Sequence, residues 1–244
     1  MTQVSLAQQV ALIAGATSDI GRAIGLRLAA DGAQLCLLGR DRRALEDLAT
    51  SARGLTEKVF AYSMDLTSDV SVRETIARLG RDVGAVDALV LSAGVFAMAA
   101  HDRAPIEDLD RQYQTNVRGP YLLVQGLLPM LRACRGQVVF VNSTVGLEAR
   151  AGVGQYASTQ HALRAIADTL RAEVNPDGVR VLNVYLGRTA TARQARIFQQ
   201  EGRPYAPELL VQPDDVAEIV VSALRLPRTV EVTSIRMRPL VKSY

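Results

Sequence analysis

The sequence predicts a doubly wound α/β fold, with a parallel sheet of about seven strands covered by helices on both faces. Short apolar runs alternate along the chain with longer segments of helical period. The early runs are nearly continuous in Val, Ile, Leu and Ala, which suits strands buried on both faces. A glycine-bearing turn follows the first run and opens a helical segment. These three observations are typical of a Rossmann-type sheet.

The individual elements follow from this alternation. Strands are predicted where short β-rich apolar runs occur, at Gln9–Ala14, Gln34–Leu38, Lys58–Ser63, Ala88–Leu91, Gln137–Asn142, Arg180–Tyr185 and Val230–Met237. Helices are predicted where apolar residues recur with helical period, at Ile20–Ala30, Asp41–Ser51, Val70–Arg81, Val117–Ala133, Gln155–Val174 and Pro213–Leu224. Asp41 and Asp69 are the expected N-caps of the second and third helices. Because no linker or repeat interrupts the pattern, we expect one Rossmann-type domain over residues 1–244.

Composition argues against several classes of function. Lys and Arg total 28 against 25 Asp and Glu, and the basic residues form no compact stripe, which disfavours nucleic-acid binding. Cys36 and Cys134 lack the spacing of metal ligands, and we expect both to be reduced and no metal to be bound. No window is apolar for long enough to span a bilayer, and no leader pattern begins the chain. We therefore expect a cytoplasmic protein that binds neither membrane nor nucleic acid.

The turn after the first strand has the properties of a phosphate site. A strand, a glycine turn and a helix N-terminus together offer backbone N–H groups and a positive dipole to a pyrophosphate. The alternative is a plain strand–helix turn whose glycines only supply positive φ. The expected cofactor contacts in this turn are Gly15, Thr17, Ser18, Asp19, Ile20 and Gly21.

The end of the second strand favours NADP(H) over NAD(H). Gly39 stands where an acidic residue would bind the adenosine ribose, and Arg40 follows it. An arginine in this place can pair with a 2′-phosphate. Arg42 and Arg43 fit a solvated helix start equally well.

A spaced set of polar residues then points to a known family. Ser143 ends the fifth strand, Tyr156 lies thirteen residues later at a helix start, and Asn116 begins an earlier long helix. With the glycine turn, the order and spacing resemble the short-chain dehydrogenase/reductase family from Gln9 to about Pro239. The resemblance also covers the positions expected on the cofactor side, which are Asp65, Leu66, Ser92, Ala93, Gly94, Gly187, Thr189 and Thr191.

The resemblance implies an oxidoreductase that acts on a CH–OH or C=O group. It implies that Tyr156 exchanges a proton with the substrate oxygen and that Ser143 holds the carbonyl. A free phenol has a pKa of ~10, so proton transfer near neutral pH needs a positive neighbour. The family supplies a lysine four residues after the tyrosine, which also holds the nicotinamide ribose and continues a proton relay to the asparagine.

In this chain the lysine position is Gln160. Glutamine can bond a ribose hydroxyl but carries no charge. Losing general acid–base help can lower a rate ~10²–10⁴-fold. His161 lies about 100° around the helix from Gln160 and is expected to be a partly buried surface residue, and Arg164 is two turns from Tyr156. Neither is expected to replace the lysine.

Two further positions depart from the family pattern. Asp19 occupies a glycine position, where its carboxylate would repel a pyrophosphate unless it faces away or caps the helix. Leu186 precedes Gly187 where the family often has proline.

The substrate side is less specified. The stretch 187–210 is long for a connection, so it is either a flap over the site or an additional helix, and its Gln/Arg-rich face favours the flap. An apolar pocket for a small carbonyl or alcohol substrate is expected from Val95, Phe96, Ala97, Met98, Leu147, Gly152 and Val153. The resemblance of the helices that bear Asn116 and Tyr156 to family interfaces implies a homodimer or homotetramer.

Two functions fit the sequence. The first is an NADPH-dependent reductase or dehydrogenase with Asn116, Ser143, Tyr156 and Gln160 at its centre. Reduction is favoured because a neutral phenol is already a proton donor. The second is a catalytically impaired NADP(H)-binding protein that acts as a sensor or partner.

Overall fold

A computed structural model describes residues 4–241, and their centre is one parallel sheet of seven strands. The strand order is β3-β2-β1-β4-β5-β6-β7, so the chain reverses its direction of travel between β1 and β4. The strands are β1 Val10–Ala14, β2 Gln34–Gly39, β3 Val59–Ser63, β4 Ala88–Leu91, β5 Gln137–Ser143, β6 Arg180–Leu186 and β7 Ser234–Met237. This confirms the predicted doubly wound sheet.

Helices pack on both faces of this sheet. They are α1 Asp19–Ala30, α2 Arg42–Arg53, α3 Asp69–Asp82, α4 Ile106–Tyr113, α5 Gly119–Ala133, α6 Gly154–Val174, α7 Ala192–Gln200 and α8 Pro213–Leu224. One apolar cluster joins the sheet to α1, α2 and α8, and a second joins it to α3, α5 and α6. Alternate strand residues face the two clusters, as Leu12 and Ile13 do in β1. The two faces explain why the early strands are apolar throughout.

The helix that carries Asn116 starts earlier than predicted. The expected start was Val117, whereas α4 begins at Ile106 and a π-helical turn over Gln114–Arg118 joins it to α5. Asn116 therefore lies inside the π turn, a feature often found at functional sites. In addition, Ser68 rather than Asp69 caps α3, because the Ser68 side chain accepts from the Ser71 amide. Asp41 caps α2 as predicted, through the Ala44 amide.

The last strand is shorter than predicted. Arg180 Nη1 donates to the Val230 carbonyl at 2.8 Å and also to the carbonyls of Leu226 and Pro227. The segment around Val230 is thereby held as a turn, and pairing with β6 begins only at Ser234, opposite Asn183.

The preference for a flap without a helix over 187–210 is wrong for its central part. Thr191 caps α7 by accepting from the Gln194 amide at 3.1 Å, and Ile197 and Phe198 are buried beneath the helix. Arg188 is 7% exposed, donates to both carboxylate oxygens of Glu201 at 2.7 and 2.8 Å, and stacks on Phe198. These tertiary contacts hold a helix that the sequence pattern alone shows weakly.

Candidate active site

The turn between β1 and α1 is built by close backbone approach. Gly15 has φ +82°, and a Cβ atom there would stand 2.5 Å from the Ala93 nitrogen, so only glycine fits. A Cβ at Gly21 would stand 2.3 Å from the Gly15 carbonyl oxygen. Ser18 caps α1 by accepting from the Gly21 amide at 3.1 Å. Within residues 4–241, no acceptor bonds the amides of Thr17, Asp19 or Ile20, so these three can bind an anion.

The Asp19 carboxylate does not cap its own helix. Its Oδ2 accepts instead from the amide of Ala192, the first residue of α7, at 3.0 Å. Of the outcomes considered for this position, the structure shows the carboxylate directed at a second helix. Asp19 therefore connects the start of α1 to the start of α7.

The adenosine-side positions lie around the ends of β2 and β3. Arg40 is exposed after β2. The Thr67 amide contributes most to lowering the pKa of Asp65, burial opposes this effect, and the Thr67 hydroxyl and the charge of Arg40 lower the pKa further. Leu66 is buried in the core, so it can offer a ligand only its backbone.

A cavity of about 760 Å³ opens at the carboxyl ends of the strands. It brings together all four residues predicted to be catalytic, together with Ile20 from the turn and the predicted residues after β4 and β6. Its lining includes Ile20, Ser92, Ala93, Gly94, Asn116, Ser143, Tyr156, Gln160, Gly187, Thr189 and Thr191. The other predicted cofactor positions, Gly15, Thr17, Ser18, Asp19, Gly21, Arg40, Asp65 and Leu66, are not part of its wall.

Ser143 and Tyr156 form the centre of this cavity. Ser143 is the last residue of β5, and Tyr156 lies in the first turn of α6, where the Phe96 ring packs edge-on at 4.9 Å. Burial raises the pKa of Tyr156, and the positive charge of Arg193 and a hydrogen bond from the Ser143 side chain oppose this rise. Tyr156 therefore remains a protonated donor over a wide pH range.

Asn116 connects the loop after β4 to α6. Its Oδ1 accepts from the Val95 amide at 2.7 Å, and its Nδ2 donates to the Val95 carbonyl at 2.9 Å and to Thr159 Oγ1 at 3.2 Å. Both backbone polar groups of Val95 are thus satisfied by one side chain. Asn116 thereby holds the loop after β4 against α6.

Gln160 lies where the lysine was expected. Gln160 is 4% exposed, and its side-chain Nε2 donates to Thr159 Oγ1 at 3.3 Å. The Gln160 backbone carbonyl accepts from Asn142 Nδ2 at 3.2 Å. His161 is exposed at the surface, and its Nδ1 lies 2.9 Å from the Ala157 carbonyl oxygen. Arg164 faces solvent and pairs with Asp168 at 3.6 Å. Neither basic residue on α6 approaches Tyr156.

The wall after β6 carries the threonines of the predicted nicotinamide side. Gly187 donates its amide to the Met237 carbonyl at 2.8 Å, and Thr189 Oγ1 donates to the Gly187 carbonyl at 3.2 Å. Across the cavity, Ser92 Oγ lies 3.3 Å from Ser18 Oγ, which connects the residues after β4 to the glycine turn.

The expected apolar pocket is confirmed only in part, because Phe96 alone of the seven residues named for it lines the cavity and the wall is also strongly charged. Phe96 and Val145 contribute apolar surface, but five arginines and one glutamate also line the cavity: Arg150, Arg188, Arg193, Arg236, Arg238 and Glu148. Arg193 reaches the residues that follow β4, since its Nη2 donates to the Gly94 carbonyl. Arg193, Arg236 and Arg238 were not among the predicted site residues, because they lie outside every motif. The Arg-rich character of 187–210 was the one signal for Arg193, and Arg236 and Arg238 had none.

The part of the chain between residues 4 and 241 also lacks two other kinds of site. None of its helices is both long and apolar enough to cross a lipid bilayer. No group of three or more His, Cys, Asp or Glu side chains in that range is arranged to hold a metal ion. Cys36 is buried and Cys134 partly buried, and both are free thiols.

Comparison with known proteins agrees with this architecture. A family model described as short chain dehydrogenase matches residues 9–202. A short-chain type dehydrogenase/reductase of Sinorhizobium fredii, y4eK, is 33% identical over 236 residues, covering 95% of this chain and 91% of the relative. Glycine betaine reductase ATRR of Emericella nidulans is 30% identical over 240 residues, but the chain spans only 19% of that protein's length.

Solved structures show the same fold. An alcohol dehydrogenase from the archaeon Thermococcus sibiricus, complexed with 5-hydroxy-NADP, matches with a TM-score of 0.86 at 29% identity, covering 97% of this chain and 99% of that one. L-sorbose reductase from Gluconobacter frateurii, complexed with NADPH and L-sorbose, matches with a TM-score of 0.87 at 23% identity, covering 97% of each chain. With the family model matching most of the chain, this protein belongs to the short-chain dehydrogenase/reductase family of oxidoreductases.

Proposed function

We propose that the protein is an NADPH-dependent carbonyl reductase, which reduces an aldehyde or ketone to an alcohol. The observation that carries this proposal is the placement of Ser143, Tyr156 and Gln160 in one cavity at the carboxyl ends of the strands. In open α/β sheets, ligands bind outside these ends at the point where the strand order reverses. Here that point lies between β1 and β4, where Gly15 approaches Ala93.

The residues at this point fit a dinucleotide. Three amides of the turn have no acceptor among residues 4–241 and can hold a pyrophosphate, and exposed Arg40 can pair with a 2′-phosphate. Thr189, Thr191 and the Gln160 amide can bond the nicotinamide end. The archaeal relative complexed with 5-hydroxy-NADP supports the choice of NADPH. NADPH, when bound, supplies the hydride that adds to the carbonyl carbon.

The chain's own residues handle the oxygen. Ser143 donates a hydrogen bond to the carbonyl oxygen and orients it, and Tyr156 transfers its phenolic proton to that oxygen as the alcohol forms. Tyr156 then regains a proton from solvent. Burial raises its pKa, so the phenol starts each cycle in the protonated form that reduction requires.

The charge of the cavity points to the substrate class. Among residues 4–241, no carboxylate pairs with Arg150, Arg193, Arg236 or Arg238. In the strand order, β7 is four places from β1, which at the usual strand spacing is ~19 Å. Arg236 and Arg238 therefore lie far from the pyrophosphate turn. Their guanidinium groups favour a carbonyl compound that carries a carboxylate or phosphate.

The test is NADPH oxidation with matched pairs of carbonyl compounds, each pair comprising a carboxylate and its neutral amide. We expect turnover, with the anionic member preferred, and a loss of ~10²-fold or more in Tyr156→Phe and Ser143→Ala. Equal rates for the two members of every pair would contradict the substrate class alone. Full activity in folded Tyr156→Phe would contradict the mechanism.

The second candidate function is NADP(H) binding without useful turnover, and the uncharged Gln160 favours it. Gln160→Lys separates the two candidates. Turnover in the parent protein supports the reductase, whereas turnover only in the lysine variant supports the impaired binder. Calorimetry that finds no uptake of NADPH or NADH by folded protein would contradict both.

A further inference from the structure

The departures at Asp19 and Gln160 become related once α7 is considered. Gln160 removes a positive charge from α6, and Asp19 places a carboxylate at the start of α1. The Asp19 carboxylate bonds the Ala192 amide, and the next residue along α7 is Arg193. We propose that Arg193, held in place by Asp19, supplies from α7 the positive charge beside Tyr156 that Gln160 does not supply from α6. This inference rests on the proposed function.

The position of Arg193 is fixed at both ends of the residue. At the backbone end, Asp19 accepts from the amide of the residue before it, and Thr191 caps the same helix turn. At the side-chain end, Arg193 Nη2 donates to the Gly94 carbonyl. The guanidinium group is therefore directed into the cavity instead of moving freely in solvent.

The Gly94 carbonyl is next to the residues that surround Tyr156. A Cβ atom at Gly94 would lie 3.3 Å from Asn116 Oδ1, and Phe96, two residues along, packs its ring 4.9 Å from that of Tyr156. The charge of Arg193 is also felt at the phenol, because it opposes the rise that burial causes in the pKa of Tyr156. A guanidinium is always protonated and suits a fixed positive charge.

The other charged groups around the cavity come from three directions. They are Glu148 and Arg150 after β5, Arg188 after β6, and Arg236 and Arg238 at the end of β7. Arg188 is neutralised by Glu201. Among all of these, Arg193 is the group whose charge lowers the pKa of Tyr156.

This arrangement makes the phenolate dependent on a different helix from the one that bears the tyrosine. When Tyr156 has given its proton to the substrate oxygen, the resulting phenolate is stabilised by Arg193 until solvent returns a proton. Arg193 acts through Tyr156, and Asp19 acts through α7. Both are positioning residues.

The first test follows the Tyr156 phenol in the protein without cofactor. Protein with isotope-labelled tyrosine rings is titrated by NMR, and the Tyr156 signal is identified by its loss in Tyr156→Phe. In Arg193→Gln the titration midpoint is expected to move to higher pH, and Arg193→Lys should stay near the parent. Arg196→Gln removes an exposed arginine from the same helix and should leave the midpoint unchanged.

Turnover supplies the second measurement. Arg193→Gln should lower the rate of carbonyl reduction ~10-fold or more, and Gln160→Lys added to that variant should restore part of the loss. The gain from Gln160→Lys should be larger in the Arg193→Gln background than in the parent. In the parent the new lysine adds to a positive charge that Arg193 already supplies, whereas in the variant the lysine replaces that charge.

Asp19 is tested by Asp19→Ala, with Asp19→Asn as the variant that keeps an acceptor. Asp19→Ala should move the Tyr156 midpoint to higher pH and speed hydrogen exchange of the first amides of α7, whereas in Asp19→Asn these amides should exchange as they do in the parent.

An unmoved midpoint in folded Arg193→Gln overturns the proposal, even if turnover falls. A weaker affinity for NADPH with an unmoved midpoint would identify Arg193 as a cofactor-phosphate ligand, which also overturns it. Inactivity of the parent protein with a moved midpoint would instead count against the proposed function.

Discussion

At the residue scale, the proposed chemistry depends on one phenol and on the groups that shift its pKa. Burial alone would keep Tyr156 protonated, which suits a proton donor but makes the phenolate left after donation costly. The Ser143 hydroxyl and the Arg193 guanidinium both favour the phenolate. In the proposed mechanism, the balance between these effects sets how readily Tyr156 gives up a proton and regains it.

The two cysteines differ in their surroundings, and this gives a prediction at the same scale. Burial, with a smaller effect from the Asp82 carboxylate, raises the pKa of Cys36 to about 12. At pH 8 its thiolate fraction is then on the order of 10⁻⁴, and the thiolate is the reactive form. Cys134 is partly exposed at the end of α5. An aromatic disulfide reagent should therefore titrate one thiol per native chain at pH 8 and two in denaturant.

Cys134→Ser is the control for this titration. In that variant the native protein should show no reactive thiol at pH 8, and the Cys36 thiol should react only in denaturant. Rapid reaction of both thiols in the native parent would show that Cys36 is not shielded as the structure indicates.

The residues of the site divide into those that a sequence can predict and those that it cannot. Ser143, Tyr156 and Gln160 were predicted because their order and spacing along the chain resemble a family pattern. Arg193 was not, because its importance depends on the direction of one side chain and on a hydrogen bond to Gly94, ninety-nine residues away in the chain. The bond from Ala192 to Asp19 is equally long-range. Neither contact leaves a local pattern.

At the element scale, α7 and its connections decide the shape of the cavity. Arg188 is buried and bonds both Glu201 oxygens, so removing the carboxylate leaves a buried charge without its main partner. Glu201→Gln should therefore loosen α7 without unfolding the sheet. The expected result is faster hydrogen exchange over 192–200, with the amides of β1 and β4 unchanged.

Glu208→Gln is the matched control, because Glu208 is exposed in a short turn after α7. It should exchange like the parent throughout. If the amides of α7 exchange as slowly in Glu201→Gln as in the parent, the ion pair between Arg188 and Glu201 is not what holds this helix.

The elements themselves were predicted unequally, for physical reasons. Strands β1 to β6 and helices α1, α2, α3, α6 and α8 lie near their predicted bounds, because their sequence patterns are clear. The helix α7 is short and rich in Gln and Arg, and its two buried residues, Ile197 and Phe198, are too few to produce a strong amphipathic pattern. The start of β7 could not be read from sequence because Arg180, fifty residues away, captures the Val230 carbonyl.

At the scale of the whole molecule, the residues proposed to bind cofactor and substrate lie along the carboxyl ends of the strands. The glycine turn and Arg40 follow β1 and β2, whereas the arginines that line the cavity lie after β5, after β6 and at the end of β7. A ligand that extends across the reversal between β1 and β4 would meet Tyr156 near the middle. The order of the strands thus separates the phosphate end from the basic substrate end.

The outer helices give the last prediction, which concerns assembly. The family resemblance implies a homodimer or homotetramer, and α4 and α5 expose large side chains, with Ile106, Tyr113 and Tyr121 being 47–60% exposed. Large apolar or aromatic side chains exposed on two successive helices are candidates for burial against a second copy. We expect sedimentation equilibrium to give a multiple of the 26.3 kDa chain mass. Tyr121→Lys should lower that mass toward the monomer at micromolar concentration, because a charge would be buried against the second copy.

Leu55→Lys is the control. It changes a side chain just after α2 that is 48% exposed, against 53% for Tyr121, and it should leave the mass unchanged. A parent protein that sediments as a monomer at every concentration, or a Tyr121→Lys variant that associates like the parent, would place the interface elsewhere or remove it.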